Sequence, residues 1–327
     1  MFRVLSLLLV VILLGGAARD PVLALGDQRL PVGAGMIPIF ATRDLARPAA
    51  GMTRAIVVVH GLDRDADRYF AAAVAARKAA GAENALMIAP QFLADEDVAA
   101  HHLPDSMLRW GRDNWAGGEA AHGPVALSAF DALDAVLARL ADRSLFPDLK
   151  TVVVAGHSAG GQVVQRYAVA GNGDAALTRA GIAVRYVVAN PSSYLYFSAD
   201  RPRPDADCSG FNAWKYGFAA GVPPYVTTDA ATLERRYAAR DVVYLLGTAD
   251  TNPNHSVLDK SCAAETQGAY RYIRGHDYVG YLRARDGKVH HVHDVPGVAH
   301  DGPRMLDSAC GRAALFDRQG CPAEETP

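Results

Sequence analysis

The β-branched run Thr151–Val154 passes through Ala155 directly into Gly156-His157-Ser158-Ala159-Gly160. A serine hydroxyl is exposed for attack on a carbonyl when it sits at the tip of a sharp strand-to-helix turn. Such a turn crowds the backbone so closely that the residues two before and two after must be almost without side chains. Gly156 and Gly160 meet that demand, so Ser158 is a candidate nucleophile; an ordinary glycine-rich turn is the other reading of the same five residues. A serine nucleophile also needs a base to take its proton and a carboxylate to orient that base. Two downstream residues have suitable surroundings. Val242–Leu246 runs into Gly247-Thr248-Ala249-Asp250, which puts Asp250 in a turn just past a strand. Val289–Val295 runs into Pro296-Gly297-Val298-Ala299-His300, which puts His300 in a loop ahead of a helix.

Other histidines and acids fit less well. His290, His291 and His293 fall within a predicted strand, where successive side chains alternate between faces. His291 and His293 share a face that would suit a metal, but no third ligand is in view. His255 and His276 lack a strand-end position, and His157 is on the elbow itself, where packing is its ordinary role. Asp241 precedes its strand and belongs to the opposite end of a sheet, while Asp259 and Asp277 fall in segments that read as solvated helix. The end of the preceding strand reads Asn190-Pro191-Ser192-Ser193 and offers no acid.

Positioning three such side chains requires a sheet whose strand ends share one rim. From about Leu30 onward, short β-branched runs alternate with longer helical patterns, the signature of a mostly parallel sheet with helices on both faces. The buried-strand candidates are Ala55–Val59, Ala85–Ile88, Thr151–Val154, Val184–Val188, Val242–Leu246 and Val289–Val295. Val125–Ala141 reads as a helix with Phe130, Leu133, Leu137 and Leu140 on one face and Pro124 at its start. Two stretches, 101–123 and 191–236, break the rhythm and are candidate pocket walls. Their Trp110, Trp115, Tyr194, Tyr196 and Trp214 either face that pocket or plug the edge of the core.

The order Ser158, Asp250, His300, each at a strand end, resembles the α/β-hydrolase superfamily across essentially the whole chain after its first residues. The likeness is to secreted esterase- and lipase-like members with little or no cap domain. His60-Gly61-Leu62, directly after Ala55–Val59, is similar to the His-Gly loop that supplies one oxyanion-hole amide in that superfamily. By that resemblance the two donors are the backbone amides of Leu62 and Ala159. The several consecutive glycines that follow the His in one esterase branch are absent.

Composition sets the rest. Half of the 327 residues are hydrophobic and the formal net charge is -2, enough for a full core and without the basic surplus of a nucleic-acid binder. Residues 1–24 read as a signal peptide: Arg3, the apolar run Val4–Leu14, then small residues with cleavage points after Ala18 or Ala24. The apolar run is about half of the ~20 residues that span a bilayer, so no stable membrane span is expected once the leader is removed. Residues 25–327 then form a single domain, secreted or periplasmic. Four cysteines allow three pairings; Cys310 with Cys321 and Cys208 with Cys262 are favoured over the others. Asp63, Asp65 and Asp67 resemble the start of a calcium loop, but Arg68 and Val74 stand where its glycine and closing glutamate belong. Acids ahead of a helix suit its dipole. No Gly-x-Gly-x-x-Gly follows Ser158. Neither cofactor nor metal is expected.

The leading expectation is an exported serine hydrolase acting on a small-molecule or polymeric ester, with no nucleic-acid partner. A peptidase or amidase on the same fold, and a non-catalytic scaffold used for binding, are the alternatives. Oligomeric state is left open by the sequence.

Overall fold

The structure, a computed structural model, describes residues 20–111, 113–286 and 290–322. Residues 1–19, the greater part of the expected leader, lie outside the described residues.

The chain opens with a hairpin, β1 (Gln28–Val32) and β2 (Gly35–Ala41), turned at Gly33, whose φ of 55° favours glycine. β3 (Arg54–Val59) leads into α1 (Ala66–Ala79). β4 (Ala85–Pro90) leads into a short pair, β5 (Leu93–Ala94) and β6 (Arg109–Trp110), with α2 (Asp95–Ala100) between them. α3 (Ala129–Leu140) precedes β7 (Thr151–His157), which runs straight into α4 (Ala159–Ala170). α5 (Asp174–Arg179) precedes β8 (Ala183–Ala189), and α6 (Ala230–Ala239) precedes β9 (Asp241–Gly247). α7 (Cys262–Glu265), α8 (Arg271–Asp286), β10 (His291–Val295), α9 (Gly302–Asp307) and α10 (Ala309–Phe316) complete the chain.

Eight strands form one sheet in the order β1-β2-β4-β3-β7-β8-β9-β10. Every pair from β4 to β10 is parallel, and the β1–β2 hairpin adds antiparallel strands at one edge. The mostly parallel sheet expected from the sequence is therefore present, with an antiparallel edge that the apolar runs did not announce. Apolar character is continuous along the central strands because both faces are covered. Ile56 and Val58 pack with Ala73 and Ala76 of α1 and with Met305 and Leu315 of α9 and α10. The alternate residues Val57 and Val59 pack with Leu133 and Leu137 of α3 and with Val163 of α4.

Register brings the C-terminal ends of the strands level. Val59 stands opposite Gly156, His157 opposite Ala189, and Val295 opposite Gly247. The turns that leave β3, β7, β9 and β10 consequently share one rim, which is where open α/β sheets place their ligand crevice.

Two expectations need correction. The helix read from Val125 begins at Ala129, because Ser128 caps it: the Ser128 hydroxyl accepts from the Phe130 amide at 3.0 Å, and Asp131 accepts from the Ser128 amide at 2.8 Å. That cap overrides Pro124 as the start. The last strand begins at His291, and Val289 lies outside the described residues. The aromatics left two readings open, and full burial of Trp110, Trp115, Tyr194 and Tyr196 selects the core plug over the pocket wall. Trp214 is half-buried, its indole N–H donating to the Gly117 carbonyl at 2.7 Å.

Residues 191–229 contain no helix or strand, so this excursion is a loop wall with no cap domain. Its organiser is Arg201, whose guanidinium donates to the carbonyls of Ser198, Asp200, Phe211 and Tyr216 and lies 4.3 Å from the centre of the Tyr196 ring. The Cys208–Cys262 disulfide ties the excursion to α7, and Cys310–Cys321 ties α10 to the chain beyond it. Closing a 54-residue separation removes more chain entropy than closing one of 11 residues, by loop-closure arithmetic about 4 against about 3 kcal/mol. Replacing Cys208 and Cys262 together by Ala is expected to lower unfolding stability by up to about 4 kcal/mol. Urea or guanidinium titration of the oxidised protein and the variant checks it; an unchanged midpoint refutes it.

Candidate active site

Ser158 occupies a sharp turn between β7 and α4, with φ 61° and ψ -122°, a region L-residues rarely enter. The glycines make the turn possible. A Cβ on Gly156 would lie 2.3 Å from the Gly160 carbonyl carbon, and one on Gly160 would lie 2.3 Å from the Val59 carbonyl oxygen. One on Gly161 would lie 2.6 Å from the Ala189 carbonyl oxygen. The absent side chains let the start of α4 press against the ends of β3 and β8. All twelve residues of α4 are buried, so the turn is held from every side.

The structure brings the three residues singled out in the sequence into one chain of hydrogen bonds. His300 Nε2 lies 2.9 Å from Ser158 Oγ, and His300 Nδ1 lies 2.8 Å from Asp250 Oδ2. Both the imidazole and the carboxylate are almost wholly buried, with side-chain exposures of 7% and 2%. With the Nδ1 proton donated to Asp250, Nε2 is left as the acceptor facing serine. Burial is the chief reason the His300 pKa falls below the ordinary 6.5; the Arg271 charge lowers it further, and the hydrogen bond to Asp250 opposes both. The imidazole is therefore neutral and able to accept a proton at neutral pH.

Backbone stitching between β9 and β10 sets this geometry. The Thr248 amide donates to the Val295 carbonyl at 3.1 Å, the Ala249 amide to the Val298 carbonyl at 3.0 Å, and the Gly297 amide to the Thr248 hydroxyl at 2.9 Å. Asn190, at the end of β8 where the sequence offered no acid, has another use. It is fully buried with φ 41°, and its side chain accepts from the Gly247 amide at 2.9 Å and reaches the Ala299 carbonyl at 3.4 Å. It thus links the acid-bearing turn to the residue before His300.

Sequence reasoning missed three neighbours. Arg271, at the start of α8, is fully buried and lies 3.4 Å from the second Asp250 oxygen, while also bonding the Ser192 hydroxyl and the Val257 carbonyl. Tyr69 of α1 lies 3.0 Å from His157 Nδ1, and the His157 ring packs 4.5 Å from His300. Burial holds His157 neutral, so it backs the catalytic candidate without adding charge. The ring of His255 meets His300 edge-on at 5.0 Å. That contact was hidden because His255 reaches the site from a loop, with no strand end to mark it.

The rival residues sit elsewhere. Asp241 pairs with Arg185 at 2.8 Å, His276 with Asp294 at 2.9 Å, and His290 Nε2 lies 3.1 Å from the Tyr237 carbonyl. Asp277 is on α8, but Asp259 is in a loop, where it accepts from the Tyr216 hydroxyl at 2.8 Å; its helical reading was incorrect. His291 and His293 lie along β10, and among the described residues no three potential metal ligands converge.

Leu62 and Ala159 border the cleft beside the serine. A cavity of about 320 Å³ holds Ser158, His300, His255, Leu62 and Asp65, and a second of about 290 Å³ holds Leu62, Ala159, Gln162, Lys215 and Tyr216. Leu62, Ser256 and Val257 belong to both, so the two cavities adjoin, and Ser158 lines the first. Asp65 sits in the first, its carboxyl pushed up to about 6 by burial and by the nearby Asp63 and Asp67. His60 pins the preceding turn: its Nδ1 lies 2.8 Å from the Gly61 carbonyl, its Nε2 accepts from the Phe92 amide at 3.0 Å, and burial lowers its pKa to about 4.

No protein-family model matches the chain, and no curated protein matches it by sequence. Among solved structures it is similar to poly(aspartic acid) hydrolase-1 from Sphingomonas sp. KT-1, 23% identical, with 91% of this chain and 99% of that one covered and a TM-score of 0.64. It is also similar to LpqC, a poly(3-hydroxybutyrate) depolymerase from Bordetella parapertussis, 22% identical, with 89% and 87% covered and a TM-score of 0.61. The architecture is the α/β-hydrolase fold.

With His300 as the candidate base, which acts only when neutral, kcat/KM is expected to fall as pH drops through the His300 pKa, with its acid limb below pH 6.5. Arg271→Met removes a buried positive charge and is expected to move that limb to higher pH, whereas Arg271→Lys keeps it close to wild type. A pH profile of kcat/KM for the three proteins is the check, and an unmoved limb in folded Arg271→Met contradicts the electrostatic role.

Proposed function

We propose that the chain is an exported serine hydrolase that cleaves carboxylic esters through an acyl-enzyme on Ser158. The observation that carries this reading is the unbroken run of contacts from Asp250 through His300 to Ser158, at 2.8 and 2.9 Å. In this mechanism Ser158 attacks the ester carbonyl as His300 Nε2 takes its proton, and Asp250 holds the tautomer and stabilises the imidazolium. The alcohol leaves with that proton. Water, deprotonated by the same imidazole, then attacks the acyl-enzyme and frees Ser158 with release of the acid. The backbone amides of Leu62 and Ala159 receive the negative charge on the carbonyl oxygen, each worth about 3 to 4 kcal/mol of barrier.

The substrate follows from the cleft. The cavity lined by Ser158 adjoins a second across Leu62, Ser256 and Val257, which supports a substrate that extends past the serine, as a polymer does. Resemblance in fold to a depolymerase supports a polymeric ester among the substrates. Amide cleavage is the second reading, supported by the likeness to a hydrolase of poly(aspartic acid), a polyamide. Export is supported by the leader-like sequence at residues 1–24 and by two disulfides, which persist in oxidising compartments. Among the described residues no helix is long and apolar enough to cross a membrane.

Ser158→Ala is expected to lower kcat on small activated esters by about 10⁶ and to abolish labelling by a fluorophosphonate probe. Paired ester and anilide substrates, then poly(3-hydroxybutyrate) and poly(aspartic acid), distinguish the two bond types. Undiminished ester turnover in Ser158→Ala removes the serine from the mechanism.

A further inference from the structure

The segment that follows the leader-like run is built into the loop that carries Leu62. Val22 is buried against Leu93 and Met107, and its amide donates to Asp97 Oδ1 at 2.9 Å. The Val22 carbonyl lies 2.6 Å from His101 Nε2. The Ala24 carbonyl accepts from Gln91 Nε2 at 3.0 Å, and the Gly26 amide donates to Gln91 Oε1 at 3.2 Å. The same two side chains hold the loop after β3. Gln91 Nε2 also donates to the Arg64 carbonyl at 3.1 Å, and Asp97 takes the Arg64 guanidinium through both oxygens, at 2.6 and 3.0 Å.

Arg64 is an improbable residue for its place. It has φ 60°, is fully buried, and lies two positions past Leu62, with its amide donating to the Gly61 carbonyl at 3.2 Å. A non-glycine residue holds that conformation only when its surroundings over-determine it. Asp97, Gln91, the Glu96 carboxylate at 3.2 Å and the Asp20 carbonyl, 3.4 Å from Arg64 Nη2, are those surroundings. Asp97 is in turn satisfied by Val22 and by the Ala94 amide at 2.8 Å.

We propose that residues 20–26 are a permanent strap of the mature protein that positions the Leu62 loop, and that leader cleavage falls after Ala18 and not after Ala24. Cleavage after Ala24 would remove the Val22 amide from Asp97, the Val22 carbonyl from His101 and the Ala24 carbonyl from Gln91. Arg64 would then be held by partners that had themselves lost half of their support. Cleavage after Ala18 leaves the whole strap. The inference rests on the leader and on the role of the Leu62 amide given under the proposed function. Its observable consequence is that loosening the strap impairs stabilisation of the oxyanion and leaves ground-state binding alone.

The test begins with the full-length chain expressed with its leader and the mass of the exported product. An N-terminus at Arg19 supports the proposal. One at Leu25 overturns it while leaving the leader intact, and a retained Met1 overturns the leader reading together with the cleavage point. The second arm uses Val22→Pro, which deletes one amide donor, and His101→Ala, which deletes one partner of the strap outside the loop. In folded protein, kcat is expected to fall about tenfold or more for Val22→Pro and less for His101→Ala, at unchanged KM. Affinity for a trifluoromethyl ketone, which presents an oxyanion once Ser158 adds to it, should weaken in parallel. Wild-type kcat and wild-type ketone affinity in both folded variants overturn the strap; loss of all ketone adduct in wild type indicts the serine mechanism instead.

Discussion

A backbone that must pass too close to its neighbours governs this molecule. The turn at Ser158 sits in a conformation costing on the order of 1–3 kcal/mol, and it persists because three glycines allow contacts that no other residue permits. At Gly160 a Cβ would meet the carbonyl oxygens of both Val59 and His60. The close approach it permits does two things at once. It aims the serine outward past the sheet, and it brings the start of α4, with the Ala159 amide, beside the loop that leaves β3. The proposed nucleophile and the proposed oxyanion donors thus share one cause, the crossing of α4 over the ends of β3 and β7.

The candidate base and acid, His300 and Asp250, are placed by a different device. β9 and β10 are parallel neighbours, so the turns that follow them emerge side by side, and cross-bonds from Thr248, Ala249 and Gly297 fasten them together. Gly247 lets the two turns touch, as a Cβ there would lie 2.4 Å from the Val298 carbonyl oxygen. Asn190 extends the fastening to β8, and the Ser158 amide bonds the Ala189 carbonyl at 3.0 Å. The three side chains therefore hang from four adjacent strand ends. Main-chain bonds link those ends, so the hydrogen-bond distances between serine, imidazole and carboxylate are set mostly by backbone and only finally by rotamer.

This division explains what could be read beforehand. Strand ends are local patterns, an apolar run followed by small or polar residues, and Ser158, Asp250 and His300 each carried that pattern in the sequence. The parallel core was legible for the same reason, since strands covered on both faces need continuous apolar residues. The antiparallel hairpin was not, because β1 is an edge strand with interrupted burial and both strands carry a proline, Pro31 and Pro38. Arg271 was invisible because a basic residue opening a helix ordinarily faces water. Its burial depends on Asp250 arriving from β9, a fact of topology. His255 and Tyr69 reach the site through loop closure and helix packing, and neither leaves a trace at short range. The aromatic residues of the irregular segments left two readings open, pocket wall or core plug, and Tyr194 and Tyr196 take the second: Tyr194 stacks on Tyr278 and Tyr196 meets it edge-on.

Two buried ion pairs flank this site, Arg271 with Asp250 and Arg64 with Asp97. Charges buried in this way give little net stability, because desolvation offsets most of their attraction, while loss of one partner costs about 3 to 5 kcal/mol. Stability alone would be served as well by apolar residues of the same volume. What apolar residues lack is direction. Arg271 bonds Ser192, Val257 and Asp250 at once, and so fixes the one carboxylate oxygen left for His300. Arg64, through Asp97, fixes a loop in a backbone conformation it would not adopt unaided. In both cases a buried arginine holds a loop that carries a proposed site group, the Leu62 amide or the Asp250 carboxylate. Catalytic geometry of this kind needs groups rigid before substrate arrives, since donors that must reorganise during reaction lose most of their effect. The buried charges are then best understood as the means by which irregular loops acquire the rigidity that the strands have by themselves.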